Sequence, residues 1–165
     1  MGGYDLINEP VITSGSQKWK LRDLYVAITD SIRTVDANHL IFAEGNIYGT
    51  DFSNLTPAWD ANMAFSIHNY WTDVPASNID LQKLRADNEN IPLWLGESGE
   101  NSNVWYNSEI QDLEARNIGW CWWLHKKINS VTAPYAPSIT AGYQQILNYW
   151  KGTGANIPRR SPLSA

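Results

Sequence analysis

Cysteine is almost missing: Cys121 is the only one in 165 residues. An internal disulfide and a cysteine-rich zinc site are therefore both excluded. Long apolar runs are missing as well, and none approaches the ~20 residues that a membrane-spanning helix needs. Cations are scarce, with 12 Lys and Arg against 17 Asp and Glu for a formal charge of −5. Surfaces that bind nucleic acid or an anionic membrane need clustered Lys and Arg, so neither partner is expected. No G-x-G-x-x-G or G-K-[ST] stretch occurs, so a phosphate-cradling loop is not expected. Residues Met1 to Asp5 hold no basic stretch followed by an apolar one, and no signal peptide is expected.

What is present is a folding composition, 43% hydrophobic and 18% charged, with nine Trp and eight Tyr. A chain of this length fits one domain. Trp is costly to bury unless its N–H is satisfied, so part of this aromatic set is expected on a surface or cleft. Short apolar or β-rich runs at 4–8, 39–44, 63–70, 91–96 and 118–124 read as buried strands bounded by polar turns. Stretches of helical period separate them. Leu21, Leu24, Tyr25, Ile28 and Ile32 predict a helix over 17–35, with Ser16 as its cap. Leu81 and Leu84 predict one over 79–88, Ile110 and Leu113 one over 107–117, and Tyr143, Ile146, Leu147 and Trp150 a last one. The segment 45–60 reads as loop. Strands alternating with helices predict parallel βαβ units.

Five such units suit either an open doubly wound sheet or part of a (β/α)8 barrel. Polar and aromatic residues gather at the strands' C-terminal ends: Asn8 and Glu9, Glu44 and Asn46, His68 and Tyr70, Glu97, and Trp123. A barrel assembles its active site at that end, so the pattern favours an α/β fold of about five βα units, a partial TIM barrel.

Two of these residues are carboxylates that end apolar strands on one face. Such a pair suits acetal hydrolysis, in which one protonates the leaving oxygen and the other attacks the anomeric carbon. That chemistry asks Glu97 to be ionised and Glu9 to carry a proton. Ser66, His68 and Tyr70 share the inward parity of one strand, which brings imidazole and phenol near the carboxylates. Gly119, Cys121 and Trp123 share a face of the last strand, with Trp123 topping it where a sugar ring could stack. Trp120 and Trp122 face the outer helices. Cys121 reads as a small core residue, since nothing near it in sequence would activate a thiol. The histidines at 39, 68 and 125 lack metal-ligand spacing, so no catalytic metal is expected.

Five motifs carry a family resemblance. Tyr4-Asp5-Leu6-Ile7-Asn8-Glu9-Pro10, Ile41-Phe42-Ala43-Glu44-Gly45-Asn46, Phe65-Ser66-Ile67-His68-Asn69-Tyr70-Trp71, Trp94-Leu95-Gly96-Glu97-Ser98-Gly99-Glu100-Asn101 and Gly119-Trp120-Cys121-Trp122-Trp123 resemble, in order, strands four to eight of glycoside hydrolase family five. This is the cellulase family of retaining clan A enzymes, and the resemblance spans residues 3–151. It implies that Glu9 is the acid/base and Glu97 the nucleophile. It also implies that Asn8 holds a sugar 2-hydroxyl, that His68 and Tyr70 flank the nucleophile, and that Trp123 stacks beside the cleaved bond. The implied substrate is a β-1,4-linked glucan, with mannan, xylan or mixed-linkage glucan as alternatives, and no cofactor. Family members act outside the cell, so an extracellular location is implied.

The resemblance begins at the fourth strand. The family's strand-two arginine, which orients the nucleophile, and its strand-three histidine have no counterpart in the sequence. A partial-barrel domain over 1–151 and an irregular tail over 152–165 are expected. A five-stranded arc leaves two open edges, and a homodimer that covers them is expected. The other functional reading is a non-catalytic carbohydrate-binding remnant in which Trp71, Trp105 and Trp123 stack on glucan.

Overall fold

The computed structural model describes residues 2–75 and 77–154. Five strands form one parallel sheet: β1 (Gly3–Asp5), β2 (Leu40–Glu44), β3 (Met63–Tyr70), β4 (Leu93–Gly99) and β5 (Gly119–Trp120). Their spatial order is their chain order. A doubly wound sheet reverses direction part-way, at the switch point where its ligands bind. Here no reversal occurs among the five strands, and the sheet is an arc of a barrel with helices outside. Five helices accompany it: α1 (Trp19–Arg33), the single turn α2 (Asn46–Gly49), α3 (Ser77–Asn88), α4 (Asn103–Ala115) and α5 (Ala141–Trp150).

Period-two alternation divides each strand between two layers. Ile41 and Ala43, Met63, Phe65 and Ile67, and Leu93 and Leu95 face outward and join Leu21, Tyr25, Ile79, Ala86 and Leu113 of the helices in one apolar core. Phe52 and Phe65 meet at 4.7 Å between ring centroids in the middle of it. The opposite face carries Asp5, Phe42, Glu44, Ser66, His68 and Tyr70, the polar layer expected to look into a barrel.

Several expectations need correction. β1 ends at Asp5, so Asn8 and Glu9 lie on the following turn, and the ladder of β5 stops at Trp120. Pairing nevertheless continues beyond it, because the amides of Cys121 and Trp123 donate to the carbonyls of Leu95 (3.1 Å) and Ser98 (2.7 Å). Ser16 does not cap α1: a 3-10 turn over Gly15–Gln17 precedes the helix, and the carbonyl of Ser16 accepts from the Trp19 indole instead. Leu24, Leu81 and Leu84 are exposed. The buried stripe of α1 runs through Leu21, Tyr25 and Thr29, and that of α3 through Ile79, Gln82 and Ala86. α5 has no fully buried residue. Of the expected tail, residues 155–165 lie outside the described residues.

Truncating Phe65 removes the ring that Phe52 packs against and leaves a cavity under the sheet. Phe65→Ala is expected to cost about 3–5 kcal/mol in urea unfolding. A loss below about 1 kcal/mol would mean that sheet and helices are not packed as described.

Candidate active site

The site is built at the C-terminal end of the sheet, where ionisable groups of β1 to β4 and of the turn after β1 converge. His68 on β3 is the centre. Its side chain is 2% exposed, and three carboxylates from three other strands surround it. Nδ1 lies 3.0 Å from Glu9 Oε1 and 3.7 Å from Glu97 Oε2, and Nε2 lies 3.3 Å from Glu44 Oε1. Burial works against a charge on this ring, but the hydrogen bonds to Glu44 and Glu9 and the charges of Glu44 and Glu97 outweigh it. The pKa of His68 is raised to about 9, so the ring is an imidazolium at neutral pH.

Glu97 reaches this layer through an irregularity in β4. Simple alternation would put Leu93, Leu95 and Glu97 on one face, outside. The register instead jumps from Ile67 opposite Leu95 to His68 opposite Glu97, so Gly96 is an extra residue in the strand. Such a bulge re-aims the side chains that follow it. A Cβ at position 96 would sit 2.1 Å from Ser66 Oγ, so any larger residue would require that hydroxyl to turn away. Beyond the bulge, Glu97 faces His68, and the Tyr70 hydroxyl donates to Glu97 Oε2 at 3.0 Å. Burial first, then the charge of Glu97 and the bond to it, raise the Tyr70 pKa, which keeps this phenol a neutral donor.

Glu9 occupies a left-handed conformation, φ 46°, rare for a residue with a side chain. Its main-chain N–H donates to Glu44 Oε2 at 2.5 Å, which ties the turn after β1 to the end of β2. Side-chain atoms of Glu9, His68 and Glu97 all lie within 4.8 Å of one another. These three have the donor types of a divalent-cation site. With its raised pKa the ring favours a proton on the nitrogen that faces the pair, which an ion would have to displace. Asp5, on the same inner face but exposed at the edge strand, has its carboxyl raised by partial desolvation and then by the charge of Glu44.

Above the pair opens a cleft of about 530 Å³ lined by Glu9, Tyr48, Tyr70, Trp71, Glu97 and Trp123. Of the residues singled out in the sequence, Glu9, Glu97, Tyr70 and Trp123 meet in this cleft. Asn8 is exposed on the turn before Glu9, outside the cleft lining. His68 stands behind the carboxylates, not on the cleft wall. Trp105 lies away from the cleft: its indole donates to the carbonyl of Thr72 at 2.8 Å and its ring packs on Trp122. Trp120 and Trp122 also belong to the outer layer, 5.0 Å from each other. Burial raises the Cys121 pKa, as does the charge of Glu97, and its Sγ donates to the carbonyl of Gly96, which suits an unreactive thiol.

The sequence reading gave Glu44 no role and passed over Tyr48 altogether. Glu44 was visible as one of the polar strand ends, but nothing in its spacing reveals that it touches two site residues. Tyr48 sits within the turn α2, where Ile47 and Tyr48 are both left-handed (φ 53° and 57°), a conformation without a sequence signal in non-glycine residues. Trp71 is presented in the same way, at φ 52°.

Comparison with known proteins bears on the family and the fold. The family model for cellulase (glycosyl hydrolase family 5) matches residues 3–129. A β-xylosidase from Phanerodontia chrysosporium is 33% identical over 127 residues, which cover 70% of this chain and 25% of that protein. The fold is similar to a hyperthermophilic endo-β-1,4-glucanase solved with substrate (TM-score 0.67, 14% identity, 87% of this chain and 57% of that one). It is also similar to a GH5 cellulase from an Icelandic hot spring isolate (0.64, 17%, 97% and 60%) and to Thermotoga maritima Cel5A with mannotriose (0.61, 16%, 72% and 50%). The chain thus spans a quarter of the length of the β-xylosidase and about half to three-fifths of these solved structures. On the match over residues 3–129, the chain belongs to glycosyl hydrolase family 5 and carries part of that family's TIM barrel.

Proposed function

We propose that the chain carries a retaining glycosidase site for β-1,4-linked glucan, with Glu9 as acid/base and Glu97 as nucleophile. The observation that carries this reading is the approach of the two side chains to within 4.8 Å beneath an aromatic-lined cleft. Retaining hydrolysis works with carboxyl groups about 5–5.5 Å apart, whereas inversion needs about 6.5–9.5 Å to admit a water between them. One oxygen of each carboxyl within 4.8 Å of the other leaves little room for a water between them, which favours double displacement.

In the first step Glu9 gives its proton to the glycosidic oxygen as the C1–O bond breaks, and Glu97 bonds to C1. In the second, the Glu9 carboxylate takes a proton from water, whose oxygen attacks C1 and releases Glu97 as a carboxylate. Configuration at C1 is inverted twice and so retained. Tyr70, donating to Glu97 Oε2, leaves the other oxygen free for attack. Trp123 offers a ring face to an apolar sugar face; the 2-hydroxyl role of Asn8 rests on the family resemblance, its side chain being exposed on the turn outside the cleft lining. The family resemblance is the ground for proposing that the chain acts outside the cell. The β-xylosidase relative favours a second substrate reading, a β-xyloside, which lacks only the hydroxymethyl group on the ring.

Aryl β-cellobioside and aryl β-xyloside distinguish the two. Nitrophenol release from one of them is expected to disappear in Glu97→Gln and to fall by about 10²–10⁴ in Glu9→Gln. Proton NMR of the first product should show the β-anomer. Release that persists in Glu97→Gln would overturn the assignment. Absence of release from every protein, with glucan still quenching Trp fluorescence, would leave a carbohydrate-binding remnant.

We also propose that two copies associate. Among the described residues β1 pairs only with β2, and β5 only with β4, so each presents a row of free N–H and C=O groups. Light scattering at micromolar concentration is expected to give twice the 18.6 kDa chain mass. A folded monomer at that concentration would overturn it.

A further inference from the structure

Glu44 is the last residue of β2 and is 1% exposed. A carboxylate buried to that degree is destabilising unless several donors satisfy it. Besides the side chain of Asp5 on β1, two donors reach it, and both belong to the site. Oε2 accepts the main-chain N–H of Glu9 at 2.5 Å, and Oε1 lies 3.3 Å from His68 Nε2. We propose that Glu44 is a positioning residue for the glutamate pair: one oxygen holds the Glu9 backbone and the other holds the His68 ring, so a single buried group sets the approach of Glu9 and the imidazole edge that faces Glu9 and Glu97. This rests on the assignment of Glu9 and Glu97 made above.

The chemistry at the ring explains why a charge is needed here. When Glu9 is a carboxylate, as in the second step of the reaction, His68 has to carry a proton at both edges, facing Glu44 through Nε2 (3.3 Å) and Glu9 through Nδ1 (3.0 Å). A neutral imidazole has one N–H only. With that proton on Nε2, the Nδ1 lone pair would point at the Glu9 carboxylate and push it away. An ionised Glu44 keeps both protons on the ring. The surroundings of His68 are otherwise acidic or neutral: Asp5 and Glu9 from β1 and its turn, Glu97 from β4, and Tyr70 from its own strand. From α1, the Tyr25 hydroxyl donates to the carbonyl of Glu44 at 3.0 Å and fixes the backbone beneath it. At Glu9 the requirement is conformational. A φ of 46° costs energy in a non-glycine residue and persists only where the surroundings impose it. The bond to Glu44 is the contact on this residue's own N–H that does so.

Glu44→Gln preserves shape and leaves an acceptor for the Glu9 N–H, but removes the charge. Glu44→Asp keeps the charge but shortens the reach. Three histidines make the ring titration tractable by NMR in the full chain, with His68→Gln identifying the resonance. In the unaltered protein His68 is expected to titrate at about 9, and in Glu44→Gln to fall back toward 6.5. Stability follows the same linkage. A raised histidine value contributes stability present in full below pH 6.5 and lost as pH rises through about 9. Glu44→Gln should flatten that decline. On the reactive glycoside, kcat should fall about 100-fold with KM little changed, and the alkaline limb should move to lower pH. Glu44→Asp should recover the His68 titration but not the full kcat.

A folded Glu44→Gln protein in which His68 titrates unchanged would overturn the proposal, as would an unchanged kcat. If Glu44→Gln does not fold, Glu44→Asp decides: normal His68 titration with full kcat would overturn it. If the chain cleaves no glycoside, the assignment of Glu9 and Glu97 fails, and the His68 titration and pH-stability curve still decide what Glu44 holds.

Discussion

A buried imidazolium compensates three carboxylates at the centre of this molecule, and the arrangement of the site follows from that compensation. Glu9, Glu44 and Glu97 arrive from three strands and end around one ring. Like charges this close disfavour one another, and burial disfavours each of them singly. His68 reverses the balance because it sits between them and is itself 2% exposed, where electrostatic attraction is least screened by water. The dependence is mutual. The carboxylates hold a proton on the ring well above its usual range, and the charged ring lets the carboxylates converge. Removing one member of such a cluster leaves the others uncompensated, which is why buried ion networks lose about 3–5 kcal/mol when a single partner is deleted.

Convergence on one ring also explains two departures from regular backbone. The extra residue at Gly96 turns Glu97 from the helix side of the sheet to the inner side, and glycine is the residue that Ser66 leaves room for. The left-handed turn at Glu9 returns that side chain toward His68 after β1 has ended. Neither would be favoured in an isolated strand. Both sit where a carboxylate must be aimed, as expected when strained backbone is retained at sites by the structure around it.

The sequence carried most of the fold because period-two and helical patterns are local. All five strands and four of the five helices lie where alternation and apolar spacing put them, and the parallel order follows from helices between strands. The site was legible where residue type and strand end coincide, as for Glu9, His68, Tyr70, Glu97 and Trp123. Parity alone would have turned Glu97 outward, because a bulge leaves no period; recognising the motif around it compensated for that. Glu44 was hidden for another reason. Its role lies in contacts to residues 35 positions before and 24 after it, and spacing along one strand says nothing about such contacts. Leu24, Leu81 and Leu84 misled because apolar spacing fixes a helix's period but not which of two neighbouring stripes faces the sheet.

The placement of the ionisable groups separates the chemistry from the shape of the cleft. Asp5, Glu9, Glu44, His68, Tyr70 and Glu97 belong to four neighbouring strands and their ends, so hydrogen-bonded pairing between adjacent strands fixes their relative positions. Hydration is another matter. Glu97 hangs from β4, inside the sheet, whereas Glu9 follows β1, an edge strand, and the Glu9 side chain is 31% exposed against 23% for Glu97. Whatever covers the free edge of β1 therefore acts first on the proposed proton donor and only weakly on the proposed nucleophile. The two halves of the reaction differ accordingly in what they need. In the proposed reaction, attack by Glu97 would draw on groups already beside it, Tyr70 and His68. Proton transfer from Glu9 would depend in addition on how much water reaches the edge of the sheet.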